Sequence, residues 1–254
     1  MSETPTTSSG LSVVLITLNE ASRIRRCLES VSWADEIIVV DSGSTDQTCE
    51  LARAFTRHVF TRTFDDYSSQ KNFGIEQAKG GWVLSLDADE VVASPLRLEM
   101  EAVLQRKSPE DCFHIPRRNI YFGHPVPHVM GYDEPVRLFM RECRFSGTVH
   151  EKIAGKHPGH LNAPLFHFSC ETFGEWVEKH RAYTRMDAAR HYRRGRRFQW
   201  RHMLLSPWRV LWLRLFRLQG WKDGWPGAAI SIEMAKSTVL FEQELLRLTR
   251  TGAK

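Results

Sequence analysis

The stretch GGWVLSLDADE, residues 80–90, decides how the first half of the chain folds. Trp82, Val83, Leu84 and Leu86 follow two glycines and are enough for a buried strand. The chain then sets down Asp87, Asp89 and Glu90 within four positions. Carboxylates this close repel one another, and desolvating them costs free energy unless a cation or hydrogen-bond donors compensate. The strand end therefore predicts a positive object beside it. Asp87 and Asp89 fall on one side of an extended segment, and oxygen ligands at that spacing suit a hard divalent cation able to hold a diphosphate. A D-x-D by itself is more often a solvated acidic turn, so its meaning depends on what surrounds it.

Working outward, LSVVLITLN (11–19) and EIIVVDSGS (36–44) are β-branched apolar runs short enough for buried strands. HVFTRTF (58–64) is a weaker third. Helical spacing is expected over 20–31, from Thr45 or Asp46 to about Phe55, over 68–79, and over 94–107 with Pro95 in the first turn. Strand–helix alternation of this kind predicts an α/β fold: a parallel sheet with helices on both faces. Ligands of such sheets gather at the carboxyl ends of the strands, where Asn19, Asp41 and Asp87–Asp89 all fall. An Asp at position 41 can accept from a base edge, and the Ser42–Gly43–Ser44 turn lets backbone approach a ligand closely. The same residues also serve as a strand-to-helix turn. Lys71 and Asn72 can contact phosphate or base, although an exposed helical lysine is the commoner case. From Cys112 to Ser169 short strands alternate with loops rich in Gly, Pro and His, a mixed or antiparallel extension.

The chain of 254 residues suffices for one large α/β domain with an appendage. Its five cysteines show no zinc-site spacing and are expected to be reduced thiols. The first ten residues carry neither a basic nor an apolar region of a signal peptide, so a cytoplasmic location is expected. The net charge of +5 conceals an asymmetry. Lys179–Lys222 holds thirteen Lys/Arg against Asp187 alone, a net +12, which leaves the rest of the chain at −7. Such segregation predicts a negatively charged partner, anionic lipid or nucleic acid. Within it, MLLSPWRVLWLRLFRLQGW (203–221) is interrupted by Arg209, Arg214 and Arg217, too often to span a bilayer. An amphipathic helix in the interface, with Trp, Leu and Phe inserted and Arg at the headgroups, fits better. The plain alternative is a helix docked on the core. Arg193–Arg197 (RRGRR) fits nucleic acid, but the motifs upstream count against it. A final amphipathic helix is expected from about Ala228 to Leu248.

Taken together, VVLITLNE (13–20), IVVDSGSTD (38–46) and SSQKNFGIEQAKGGWVLSLDADE (68–90) resemble the inverting family 2 glycosyltransferases of GT-A fold. GTVHEKI (147–153), LFHFS (165–169) and GWKDGWPG (220–227) are similar to the branch of lipopolysaccharide core β-1,4-glucosyltransferases, which use UDP-glucose. The resemblance implies a GT-A nucleotide-sugar-binding sheet flanked by helices with a basic helical C-terminal extension. Residues 1–10 would be a flexible lead-in, 11–107 the donor half, 108–170 the acceptor-side half of the same domain, and 171–254 the extension.

It also implies roles. Asp41 would read the base, uracil for a UDP donor, with Thr17, Asn19, Glu20 and Ser42 in the same pocket and Lys71 on the phosphates. Asp87 would face the ribose or a Mg²⁺ or Mn²⁺ ion that Asp89 holds on the diphosphate. His150 and His167 would orient the acceptor or complete the metal shell, and Arg137 would offset diphosphate charge. The general base would be Glu151, with Asp133 as the alternative. The implied reaction moves a hexose to a lipopolysaccharide-core or other lipid-linked acceptor, by a peripheral enzyme on the inner face of the cytoplasmic membrane. The rival acceptor is a peptide or protein side chain.

Overall fold

The computed structural model describes residues 10–106, 109–147, 152–153 and 155–251. The donor half runs through β1 (Leu11–Thr17), α1 (Ile24–Ser30), β2 (Glu36–Asp41), α2 (Thr48–Arg53), β3 (His58–Thr61), α3 (Tyr67–Gln77), β4 (Trp82–Asp87), β5 (Glu90–Val92) and α4 (Ser94–Gln105). Short elements follow: β6 (Cys112–His114), β7 (Arg117–Tyr121), β8 (His124–Pro125), α5 (Pro127–Met130), β9 (Val136–Met140), β10 (Phe145–Ser146), β11 (Lys152–Ile153), β12 (Pro158–His160) and β13 (Leu165–Cys170). The chain ends in three helices, α6 (Phe173–Arg193), α7 (Trp200–Trp212) and α8 (Gly224–Thr251).

The chain forms two compact units. The first holds residues up to Arg117 and Asp133–His167; the second holds Arg118–Tyr132 and Phe168 onward. Residues 118–132, expected in the acceptor-side half, join the C-terminal helices for a packing reason. Val126 and Val129 bury with Trp176 and Ile230, and the Asp223 carboxylate accepts from the His128 and Val129 backbone N–H groups.

In the first unit a seven-stranded sheet has the order β12-β6-β9-β4-β1-β2-β3. β1 to β4 pair in parallel, and β9 is antiparallel to both of its neighbours. The central strands are apolar on both faces because both faces are covered. Leu11, Val13 and Leu15 of β1 bury with α1 and α4, whereas Val14 buries with Ile75 of α3. The architecture is the α/β one expected, a central sheet flanked by helices. α3 lies so close to β1 that a Cβ at Gly74 would come within 2.4 Å of Val14 Cγ1, a branched side chain in a packed strand. Helix α1 starts four residues later than expected. Asn19 takes a left-handed conformation (φ 55°) and the chain turns before the helix begins.

In the second unit α6 and α7 each pack along α8. Thr172 caps α6 by accepting from the Glu175 N–H at 3.2 Å. A π-helical turn (Leu213–Arg217) and a 3₁₀ turn (Gly220–Asp223) join α7 to α8, which starts earlier than expected. Among the described residues, no helix is long and apolar enough to cross a membrane. All five cysteines are free thiols, with Cys27, Cys112 and Cys170 buried.

Candidate active site

The parallel register sets Thr17 beside Asp41 and Ile16 beside Asp87, so the three polar strand ends share one rim in the first unit. Only 1% of Asp41 is exposed. Its carboxylate accepts from Thr17 Oγ1 (3.1 Å), the Gly43 and Ser44 N–H groups (2.9 and 2.8 Å) and Ser44 Oγ (2.5 Å). Burial pushes this carboxyl up, but the Ser44 and Gly43 hydrogen bonds outweigh it and hold the acid below its usual range. Asn19 locks the two turns together: its N–H donates to Ser44 Oγ and its Oδ1 accepts from the Thr45 N–H, both at 2.8 Å. The Glu20 N–H donates to Thr48 Oγ1, and Asp46 accepts from the Thr48 N–H, while the cap position of α2 is Gln47, without a side-chain bond, and not the expected Thr45 or Asp46. Thr17, Asn19, Glu20, Asp41 and Ser42 are therefore one pre-ordered ledge. The Cys49 thiol is a further donor to Asp41, and of the four bonds above Thr17 makes the longest.

At the end of β4 the positive object is a set of side chains. Arg137 Nη2 lies 2.6 Å from both Asp87 Oδ2 and Glu90 Oε1, and Lys71 Nζ stands 3.8 Å from Asp87 Oδ1. Arg117 reaches Glu90 at 3.4 Å and holds Asp133 through two bonds of 3.0 and 2.5 Å. Burial raises the Asp87 acid, but the Arg137 and Lys71 charges win and hold it far below the usual range. Glu90 has no exposed surface, and burial, with Asp87 adding to it, pushes its acid up. Glu90 also accepts the Asp87 N–H through Oε2 at 3.0 Å, so it fixes both the backbone and the counter-ion of Asp87. Breaking the buried Arg137–Glu90 pair by removing one partner costs about 3–5 kcal/mol.

These contacts bear on three residues singled out in the sequence. Arg137 is 5% exposed and spent on two carboxylates, so it neutralises Asp87 and Glu90 instead of standing free for a diphosphate. Lys71 is buried beside Asp87, not an exposed helical lysine. Asn72 clamps the Phe145 backbone through both its amide atoms and is not directed to a ligand. Sequence reasoning missed Arg117 and the buried role of Glu90. The signal available was the acidic triplet itself, which demands more than one cation.

Metal fit rests on Asp89. Its Oδ1 is buried without a hydrogen-bond partner, while Oδ2 lies 3.2 Å from His167 Nε2. An unpartnered buried carboxylate oxygen is costly and suits a cation. Among the described residues, no cluster of three or more His, Cys, Asp or Glu is arranged to hold an ion. That donor set fits a hard cation taking one or two carboxylates and completing its shell with phosphate oxygens. Asp87 comes to such a site already paired, which leaves Asp89 the better-placed donor. Glu151 and His150 lie outside the described residues.

A cavity of about 700 Å³ opens beside Asp87, within the range of small-molecule sites. Lys71, Arg117, Asp133 and Arg137 line it, as do Phe145 and Ile153. Asp133, the alternative base, has both carboxylate oxygens on Arg117. The cavity extends over β6 and β9, and the Asp41 ledge lies over β1 and β2, with Asp87 between them.

Residues 12–150 match the model of a family described as Glycosyl transferase family 2. The chain is 28% identical over 229 residues to the lipopolysaccharide core biosynthesis glycosyltransferase LpsC of Rhizobium meliloti, covering 85% of this chain and 84% of that protein. It is also 28% identical to an uncharacterized glycosyltransferase of Rickettsia bellii, over 68% of this chain and 65% of the other. Among solved structures, S. aureus TarS 1–349 in complex with UDP-GlcNAc aligns with a TM-score of 0.48 at 13% identity, covering 96% of this chain and 92% of that one.

Proposed function

The chain belongs to glycosyl transferase family 2, and from that premise we propose that it moves a hexose, glucose in the first instance, from a UDP-sugar to a lipopolysaccharide-core or other lipid-linked acceptor with inversion. The observation that carries this reading is the division of the rim. A pre-ordered polar ledge at Thr17, Asn19 and Asp41 over β1 and β2 would supply a nucleotide site, and Asp87, at the end of the neighbouring β4, lines a cavity of about 700 Å³ large enough for a sugar acceptor. Similarity to LpsC supports the acceptor class.

In this reading the base lies on the Asp41 ledge with Ser42, and Glu20 closes its edge. Asp87, kept ionised by Arg137 and Lys71, accepts from the ribose. Asp89 Oδ1 would hold Mg²⁺ or Mn²⁺, with His167 steadying the other oxygen. Such an ion, when bound, supplies charge to the departing diphosphate. Lys71 places further positive charge beside Asp87 at that point. Glu151 takes the acceptor hydroxyl's proton as its oxygen attacks the anomeric carbon.

Thermal-shift titration with UDP-, GDP-, ADP- and dTDP-sugars, with and without Mn²⁺, tests this reading. A UDP-hexose at a hundredfold excess over its Kd should add about 2.7 kcal/mol of stability, more readily with Mn²⁺ than without. An equal response to all four nucleotides, or none, overturns it.

The acceptor places the enzyme at the inner membrane face, and α7 is the element that docks there. No residue of this helix is buried, and Trp200, Leu204, Leu205, Trp208 and Trp212 are exposed with Arg201 and Arg209 among them. Arg214 is not exposed with them: it is half-buried and donates to the Val129 carbonyl at 2.7 Å. The protein should sediment with anionic liposomes at low salt, and Arg209→Glu with Arg217→Glu should weaken that binding without weakening UDP binding. Indifference of the wild type to anionic liposomes ends the docking claim.

A further inference from the structure

α6 and α7 both lie on α8, and the gap between them is a cavity of about 420 Å³ wholly within the second unit. Val210, Met234 and Phe241 contribute apolar lining, and Arg214 and His180 contribute nitrogen donors. Its lining carries two guanidinium groups, Arg196 and Arg214, against two carboxylates, Asp187 and Glu242, and both acids are already taken. Glu242 is held by Arg196 at 2.7 Å, Asp187 by Arg190 at 2.5 Å, and Glu233 by Arg181 at 2.8 Å. Arg214 has no carboxylate among the described residues, only the Val129 carbonyl. It is half-buried, and burial pulls its pKa below the usual arginine range. His180 Nε2 is buried with no hydrogen-bond partner, its ring stacked on Trp176 at 5.0 Å. An unmatched guanidinium and an unsatisfied imidazole nitrogen at an apolar cavity call for an anion joined to hydrocarbon.

We propose that this cavity binds the phosphate-bearing end of an anionic lipid, with Arg214 and His180 receiving the phosphate and Val210, Met234 and Phe241 the adjoining hydrocarbon. The same helix argues for a lipid. α7 turns Val210 to the cavity while its exposed Trp208 and Trp212 form an apolar surface beside it. The phosphate belongs either to a bilayer phospholipid or to the lipid carrying the acceptor. The inference takes from the transferase reading only the second of these sources.

The full chain is titrated with dihexanoyl phosphatidylglycerol below its micelle concentration, with dihexanoyl phosphatidylcholine and inorganic phosphate in parallel. Tryptophan fluorescence and calorimetry give the readouts. The anionic monomer should bind saturably at one per chain, and phosphatidylcholine and bare phosphate should bind more weakly. Val210→Trp, which fills the cavity, and Arg214→Gln, which removes the charge, should each weaken binding about tenfold or more. A cooperative thermal transition and an unchanged far-UV circular dichroism spectrum confirm that each variant is folded. Competition between the monomer and a lipid-linked acceptor in the transfer assay assigns the site to the acceptor. Loss of binding to phosphatidylglycerol vesicles in Arg214→Gln, without such competition, assigns it to the bilayer. Failure to saturate, or equal affinity in wild type and both variants, overturns the proposal. Absence of any UDP response would overturn the transferase reading and leave the cavity's result standing.

Discussion

Asp89→Asn is expected to abolish sugar transfer and to leave the fold intact. The carboxylate is one of three acids crowded at residues 87–90, and its Oδ1 is buried without a donor. Removing that charge relieves repulsion with Asp87 and Glu90, so the melting temperature of the free protein should stay level or rise. What is lost is the anionic oxygen that a divalent cation needs. UDP-dependent stabilisation should accordingly lose its Mn²⁺ requirement, since linkage reports only what binds the folded chain. A variant that turns over near the wild-type rate removes Asp89 from the proposed metal site.

The second large effect is expected at Glu151. Glu151→Gln keeps the size and part of the hydrogen bonding but cannot take a proton, so kcat should fall about 10²–10⁴-fold with UDP affinity nearly unchanged. Asp133→Asn should behave differently. Asp133 is bonded through both oxygens to Arg117, which also reaches Glu90, so its loss should lower stability before it lowers kcat. If Asp133→Asn instead shows the large kcat loss and Glu151→Gln does not, the base is Asp133.

The two halves of the chain were unequally legible. In β1, β2 and β4 each apolar run is buried on both faces, so local composition alone located the strands, and their polar ends followed. Helix ends were less accurate: α1 starts late because Asn19 and Ser44 tie two turns together across 25 residues, a bond no window of sequence contains. The segment 118–132 was placed with its neighbours in sequence, whereas its apolar residues found Trp176 and Ile230. Arg214 looked like one more headgroup arginine until the π-helical turn aimed it at Val129.

From its sequence alone the chain was determined to be an α/β fold with a row of polar residues at the carboxyl ends of parallel strands, because strand burial and strand ends are local properties. Which cation meets which carboxylate was decided only by tertiary structure. The acidic triplet at 87–90 demanded positive charge, and Lys71 from α3, Arg117 from β7 and Arg137 from β9 supply it. The sheet order brings β9 against β4 across 50 residues of chain, so the Arg137–Asp87 pair exists only once long-range pairing is made. Charge repulsion is written in adjacent residues; its compensation is a matter of which strands become neighbours.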